Sequence, residues 1–480
     1  MKVFLVGATG FVGRTTTAFL LGQGHDVVAW VRDSDQAKDQ LGRDVTLVSE
    51  DVDLVKEMEN ADVVVNLSGQ QLSGVRWTKN RKKRFYESRV GINNQLVEAM
   101  KNATNLPHTF LSANAIGFYS PSSNKVTDED PPNNDTFLGK LCSEWEQSAN
   151  EAKNIGVRVC NLKFGLVLGR EGGILAQMSL PFEYGVATNL GFGNHMFSWI
   201  HILDLVRAIG FCIDNSDVSG SVNITSPNPV KCKEFVKALA KNTVSFITVP
   251  VPTILFGFVY GFGESAKHLT NSHNVIPEKL VANGFSFVFE EVFDALNEEF
   301  NSSDVKITDH KLGKTDSSYP LRVECYKKAS AQYELNTSIK LKSDTYSTFD
   351  FFSSPLNLGM STPNWMGFRI LEMPEHVDKG STFAYKINLG PLPFRWRTEI
   401  AKWSEGEMFI DFQTKGPYSL WWHEHRIIEN SNTTSLMEDR VLYRVPLGLL
   451  GRVAHFFFVK RTLFRIFSYR RRIIQLRFGG

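Results

Sequence analysis

A glycine-rich turn between a short apolar strand and a helix restricts what this chain can fold into more than any other feature. Lys2–Val6 reads as the strand, and Gly7-Ala8-Thr9-Gly10-Phe11-Val12-Gly13 as the turn that opens a helix running to Leu21. Gly22-Gln23-Gly24 breaks that helix, and residues 26–31 read as a second strand that closes at Arg32. The glycines have separate tasks: Gly7 permits the tight turn, Gly10 lets backbone approach a pyrophosphate, and Gly13 lets the helix pack on the strand. The helix N-terminus then offers N–H groups and a positive dipole end to the anion. Strand, turn, helix and strand in this order predict a dinucleotide site that includes Thr9, Phe11 and Val12 beside the three glycines.

The end of the second strand selects the dinucleotide. Asp or Glu there accepts hydrogen bonds from a ribose 2′-hydroxyl, whereas an arginine pairs with a 2′-phosphate. Arg32 occupies the place, which predicts NADP over NAD; Asp33 and Asp35 follow it and blunt the preference.

Further along, strand and helix patterns alternate. Residues 45–48, 63–67, 110–113 and 157–162 read as apolar strands. Continuous apolar strands separated by helices imply a doubly wound parallel α/β sheet of the Rossmann type, covered on both faces. Asn66-Leu67-Ser68-Gly69 is a small-residue turn suited to backbone passing close to a cofactor, and Asp51 and Asp53 follow the third strand, within reach of an adenine amino group. Near residue 300 the composition shifts to Thr, Ser and aromatic residues in alternation, as in Phe394-Arg395-Trp396-Arg397-Thr398-Glu399-Ile400. That pattern predicts antiparallel strands with one face on a core. We therefore expect a cofactor domain over 1–300 with a small extension at about 248–300. A polar linker over 301–318 and a second domain over 319–480 should follow, the latter ending in a long helix over 447–475.

With 480 residues, 42% hydrophobic and 22% charged, the chain has the make-up of an ordinary globular protein of two or three domains. A net charge of +2 gives no global attraction to nucleic acid. Cys142, Cys160, Cys212, Cys232 and Cys325 lack paired spacing and read as reduced thiols of a cytoplasmic protein. No secretory signal is expected, because the first strand begins at residue 2. The most apolar run, 249–262, is too short to span a bilayer and is interrupted by proline and glycine.

The first 300 residues resemble the extended short-chain dehydrogenase/reductases, and among them the atypical epimerase-family branch. GATGFVG at 7–13, VVNLSGQ at 64–70, RWT at 76–78, SRV at 88–90 and SANAIGFY at 112–119 carry the resemblance. So do LCSEWE at 141–146, FGLVLGREGG at 164–173, FSWIHILDL at 197–205 and VIPEKLVANGFSF at 275–287. It implies that Val31, Leu67, Ser68, Gly69, Arg89 and Val167 line the cofactor with Arg32. Such reductases use a Tyr-x-x-x-Lys pair, in which the lysine lowers the tyrosine pKa. The corresponding stretch here is Phe137-Leu138-Gly139-Lys140-Leu141-Cys142, without a tyrosine. Ser112 is retained, Asn114 stands where relatives usually have a second serine, and Tyr119, Lys140 or a bound water would have to supply a proton. Two functions follow: an NADP-binding oxidoreductase or epimerase acting on a small molecule, or a non-catalytic NADP-dependent sensor.

Asp204 reads as a helix cap and His201 as a structural histidine. Arg76, Trp77, Arg81, Lys82, Lys83 and Arg84 form a basic patch that suits a solvated face or an anionic substrate. Residues 319–480 resemble the START/polyketide-cyclase-like (SRPBCC) superfamily through GPYSLWWHEH at 416–425, MEDRVLYRVPLG at 437–448 and the tail. That resemblance implies an α+β helix-grip domain and a hydrophobic or lipid-like ligand, with Trp396, Trp403, Phe412, Trp421 and Trp422 as candidate cavity residues. His423 and His425 share one strand face without an evident third ligand, so no metal centre is expected. The tail sets Lys460, Arg461, Arg465, Arg470, Arg471 and Arg472 among phenylalanines. It fits a weak membrane-surface contact, or aromatic packing with the arginines in solvent.

Overall fold

The computed structural model describes residues 1–72, 75–243, 245–251, 270–310, 331–390 and 392–479. Cys325 and most of the apolar run at 249–262 lie outside them. The chain divides into two compact units, one of Met1–Ser34 with Val45–Asn301 and one of Asp35–Asp44 with Ser302–Gly480.

The first unit is built on seven parallel strands: β1 (Lys2–Val6), β2 (Asp26–Trp30), β3 (Thr46–Val48), β4 (Val63–Asn66), β5 (Thr109–Ala115), β6 (Arg158–Phe164) and β7 (Gly220–Ile224). Their order is 3-2-1-4-5-6-7. The central strands bury side chains on both faces; Val63, Val64, Val65, Phe110 and Leu111 are fully inaccessible. This is why they read as unbroken apolar runs. Helices cover the faces: α1 (Phe11–Gly22), α2 (Leu54–Asn60), α3 (Ile92–Asn102), α4 (Phe137–Asn150) and α5 (Ile202–Asp214). The strand order reverses between β1 and β4, and in such sheets the crevice at the carboxyl ends beside that switch receives the ligand.

The segment 273–289 is stitched to the first unit by polar side chains. Asp204 accepts from the backbone N–H groups of Val288 and Phe289, both at 2.8 Å. Thr225 donates to the Val275 carbonyl at 3.1 Å, and Ser198 donates to that of His273 at 2.6 Å. Asp204 is therefore an anchor, and the expected cap role falls to His201. Its Nδ1 accepts from Leu203 N–H while Nε2 pairs with Glu299 at 2.9 Å. Asp53, expected near an adenine, instead caps α2 by accepting from Val55 and Lys56. Asp51 pairs with Ser49.

The second unit is an antiparallel sheet of eight strands. These are β8 (Val305–Asp309), β9 (Tyr333–Leu341), β10 (Arg369–Glu372), β11 (Thr382–Leu389), β12 (Leu392–Ser404), β13 (Met408–Lys415), β14 (Leu420–Ser431) and β15 (Thr434–Arg444). Their order is 8-9-15-14-13-12-11-10. β8 lies within the stretch expected to be a linker; its alternate side chains pair across to β9, so it is sheet and not spacer. The terminal helix runs as α6 (Gly448–Ala454), a π-helical turn (His455–Val459) and α7 (Lys460–Phe478). Leu463 and Phe467 of α7 join Leu335, Trp396 and Val441 in one core cluster. Arg470 and Arg472 are buried, so the tail's arginines do not form a uniformly solvated stripe.

Candidate functional site

The opening turn has the geometry its glycines predict. Gly7 sits at φ +83°, and a Cβ there would meet Leu67 backbone at 2.9 Å. A Cβ on Gly13 would lie 2.0 Å from the Gly7 carbonyl oxygen, so only glycine fits. Gly10 donates its N–H to Gly7 O at 3.0 Å and stands, extended, as the N-cap of α1. No side chain caps that helix, and its first turn carries no acidic residue. The positive end is thus left for an external anion. The Phe11 ring rests on a ledge of glycines; Cβ atoms on Gly169 and Gly172 would strike it at 2.7 and 2.6 Å. Half-buried Val167 lies just before that ledge, Val31 is buried with its N–H on Val48 O, and Arg32 is exposed at the end of β2.

The Leu67–Gly69 loop is braced from beneath. Asn66 Oδ1 accepts from Ser68 N–H at 2.9 Å and from its hydroxyl at 2.6 Å. Asn66 Nδ2 donates to Asn93 at 2.7 Å, and Asn93 Nδ2 lies 3.0 Å from Ser112 Oγ. Arg89 is 6% exposed, and its guanidinium donates to the Gln70 carbonyl at 2.8 Å and to the Phe85 carbonyl at 3.3 Å. A Cβ on Gly69 would meet that guanidinium at 3.0 Å. Burial lowers the Arg89 pKa to about 10. Arg89 Nε is buried without an acceptor among the described residues.

The four catalytic candidates do not form one constellation. Ser112 is fully buried in the Asn66–Asn93 network. Asn114 donates to the Cys142 carbonyl and accepts from Ala115 N–H. Tyr119 is 1% exposed and donates its hydroxyl to Asn223 Oδ1 at 2.7 Å. Burial, reinforced by the Asp128 carboxylate, drives its pKa far above the usual phenol value, so it holds its proton. Lys140 is exposed on α4. Within that stretch, a Cβ on Gly139 would sit 1.8 Å from the Asn133 carbonyl oxygen, so position 139 itself admits no side chain.

Sequence reasoning missed Lys163, the buried cation of this region. Its ammonium lies 2.7 Å from Ser221 Oγ, 3.2 Å from Glu146 Oε2 and 3.5 Å from the centre of the Phe118 ring. Burial lowers its pKa and Glu146 opposes that shift. No local signal marks the pair, because Glu146 and Lys163 meet only through packing of α4 on β6. The basic patch is a partly exposed helix face; Lys82 lies over the Phe137 ring, and Arg81 donates to the Arg76 carbonyl.

In the second unit a cavity of about 130 Å³ is lined by Phe368, Ile387, Trp396, Trp421, Leu463 and Phe467, with a polar wall of Asp411, His423, His425 and Arg470. Of the five aromatic candidates, Trp396 and Trp421 line it. Phe412 and Trp422 pack with Leu442 in a separate cluster, and Trp403 packs on Phe349 and Phe409. The third partner of the histidines is Asp411, which sequence reading did not supply.

Comparison with known proteins agrees with this geometry. Residues 3–225 match the NAD dependent epimerase/dehydratase family, and residues 251–299 match a domain of unknown function, DUF1731. The epimerase family protein YfhF of Bacillus subtilis is 30% identical over 299 residues, 62% of this chain and 97% of that protein. The chloroplastic epimerase family protein SDR39U1 homolog of Arabidopsis thaliana is 34% identical over 304 residues, 62% of this chain and 86% of that one. Among solved structures, human epimerase family protein SDR39U1 (isoform 2), crystallised with NADPH, superposes with a TM-score of 0.56 at 26% identity. The match covers 63% of this chain and all of that one. On its first 300 residues, this chain belongs to the NAD dependent epimerase/dehydratase family, with the epimerase family proteins as relatives.

Proposed function

We propose that the first unit binds NADP(H) and works as an oxidoreductase- or epimerase-like protein on a small molecule. One observation carries the reading: an uncapped helix N-terminus behind a turn in which Gly7 and Gly13 tolerate no side chain. The NADPH-bound human relative supports it. The residues fit the group. Backbone of the 7–13 turn holds the pyrophosphate, Arg32 takes the 2′-phosphate, and Leu67, Ser68, Gly69 and Val167 flank the remainder. Arg89 is a positioning residue, because its donors hold the Gln70 carbonyl and so the loop at Gly69. Bound NADP supplies a hydride donor or acceptor. A second reading, a non-catalytic NADP-dependent sensor, is favoured by the internal hydrogen bonds that occupy Ser112, Asn114 and Tyr119. NADPH oxidation over a panel of carbonyl compounds separates the two: turnover supports the enzyme, and tight calorimetric binding without turnover supports the sensor. No binding of either nucleotide overturns both.

For the second unit we propose a helix-grip fold of the START-like kind whose cavity holds a small apolar ligand. Support comes from the antiparallel sheet, the shared core of sheet and α7, and the aromatic lining. The contact with an anionic membrane surface belongs to the start of the terminal helix and not to its basic end. Leu447, Leu449, Leu450, Val453, Phe456 and Phe457 are all about half exposed or more there, flanked by exposed Arg452 and Lys460. Leu447 adopts φ +69°, alone among the described non-glycine residues, and such strain in a leucine persists where surrounding structure imposes it.

A further inference from the structure

The polar wall of the cavity lies in the second unit, and with Asp439 behind it the side chains converge from three strands and a helix. Asp411 on β13 faces His423 on β14 directly across the ladder, and His425 faces Asp439 on β15. His423 and His425 are two residues apart and so share a face. Their rings lie 3.7 Å apart, and His425 is stacked at 4.1 Å on Phe409, which fixes its plane. Asp411 Oδ2 is 2.9 Å from His425 Nε2 and 3.5 Å from His423 Nδ1.

The second partners of these rings decide what the first can hold. His423 Nε2 hydrogen-bonds Asp439 Oδ1 at 3.1 Å, so its proton is there and its Nδ1 lone pair faces Asp411, acceptor toward acceptor. His425 Nδ1 lies 2.7 Å from the same Asp439 oxygen and 3.4 Å from Arg470 Nη2. His425 Nε2 hydrogen-bonds Asp411 Oδ2, and a cation entering between them would take the place of that shared proton while Nδ1 keeps its own toward Asp439. Arg470 Nε holds the far oxygen of Asp439 at 3.1 Å and balances its charge. One carboxylate and two imidazole nitrogens thus surround a common point in an apolar cavity, where a buried carboxylate needs a positive partner. Three donors about 2.0–2.1 Å from a tetrahedral cation are separated by roughly 3.4 Å. The two observed edges of 2.9 and 3.5 Å bracket that spacing.

We propose that Asp411, His423 and His425 bind a divalent transition cation, zinc by donor type, with Asp439 orienting both imidazoles from behind. Three protein ligands leave a fourth position open, and since all three line the cavity, that position faces its interior. A carboxylate that accepts from the outer nitrogen of a ligating histidine is a recurrent support in such sites. The assignment uses the second unit alone and is independent of the nucleotide reading.

The test uses the full chain, stripped with a chelator and titrated with Co²⁺ while visible absorption is recorded. One equivalent should produce the intense bands of a low-coordinate cobalt site, and Zn²⁺ should displace it. Asp411→Asn and His423→Gln should abolish the bands, Asp439→Asn should weaken binding by about 10–100-fold, and the exposed control His376→Ala should change nothing. Should the variants fail to fold, X-ray absorption of the zinc-loaded wild type decides: imidazole scattering supports the site, and an all-oxygen shell overturns it. A spectrum that stays that of the aqua ion overturns it too, and then a proton shared by His425 and Asp411 holds the cluster. Cobalt bound equally well by Asp411→Asn would mean adventitious binding elsewhere and would also overturn it.

Discussion

At the scale of single residues, Arg32 is the most informative position because its effect is differential. A charge-assisted pair with the 2′-phosphate contributes about 1.5–3 kcal/mol. Arg32→Ala should therefore weaken NADPH by about 10- to 100-fold and NADH hardly at all in calorimetric titration; equal losses would remove the 2′-phosphate assignment. Gly13→Ala tests the turn itself. Its Cβ would meet the Gly7 carbonyl at 2.0 Å, and overpacking of this kind costs about 1–3 kcal/mol, so both thermal stability and nucleotide affinity should fall. His455 gives the pH dependence. Burial, with Lys460 adding to it, lowers its pKa to about 4 from the ordinary 6.5. Its ring stacks on Tyr333 and its Nε2 meets the Tyr443 hydroxyl at 2.8 Å. The unfolded chain binds this proton first as pH falls, so the contribution is intact above pH 6.5 and is lost between 6.5 and about 4. His455→Gln should flatten that part of the stability profile; an unchanged slope would show that another group controls it. The residues legible in advance are those whose meaning is local. The glycine spacing, and the place of Arg32 just after β2, could be read from a few neighbours in sequence. Asp411 could not, because its pairing with His423 depends on the register of β13 on β14, and the single-chain pattern carries no trace of that register.

At the scale of elements, periodicity performed well where one face or both faces of a strand are buried. The parallel strands were visible as apolar runs, and the alternation through 394–400 matches the inward Trp396, Thr398 and Ile400 of β12. It failed where polar sequence is held by sheet partners, as at β8, whose outward Lys306 and Thr308 resemble a linker until β9 is paired with them. The terminal helix shows a different limit. Its composition announced an amphipathic element but not which end is covered: the arginines at 470 and 472 are buried, and the exposed apolar side chains lie before residue 459. The membrane reading therefore belongs to α6 and the π-helical turn. Leu450→Glu with Phe457→Glu should abolish sedimentation with vesicles rich in anionic lipid while leaving NADPH affinity unchanged. Added salt should weaken the wild-type contact by screening Arg452 and Lys460. Binding that survives both treatments would place the contact elsewhere.

At the scale of the whole molecule, each unit holds core clusters of its own. Phe4, Val64 and Phe110 belong to one, and Leu335, Val441 and Phe467 to another. Ligands that bind the native form of one unit add RT ln(1 + [L]/Kd) to that unit alone, about 2.7 kcal/mol at a hundredfold excess over Kd. Heating should then give two transitions. NADPH should raise only the one that Gly13→Ala lowers, by about 5–10 °C for units of this size. Zn²⁺ should raise only the other, and His423→Gln should remove that response. If NADPH and Zn²⁺ shift the same transition, the two sites do not reside in independently folding units. A division of labour, nucleotide on the parallel sheet and cation in the antiparallel one, would then have to be replaced by a single cooperative body.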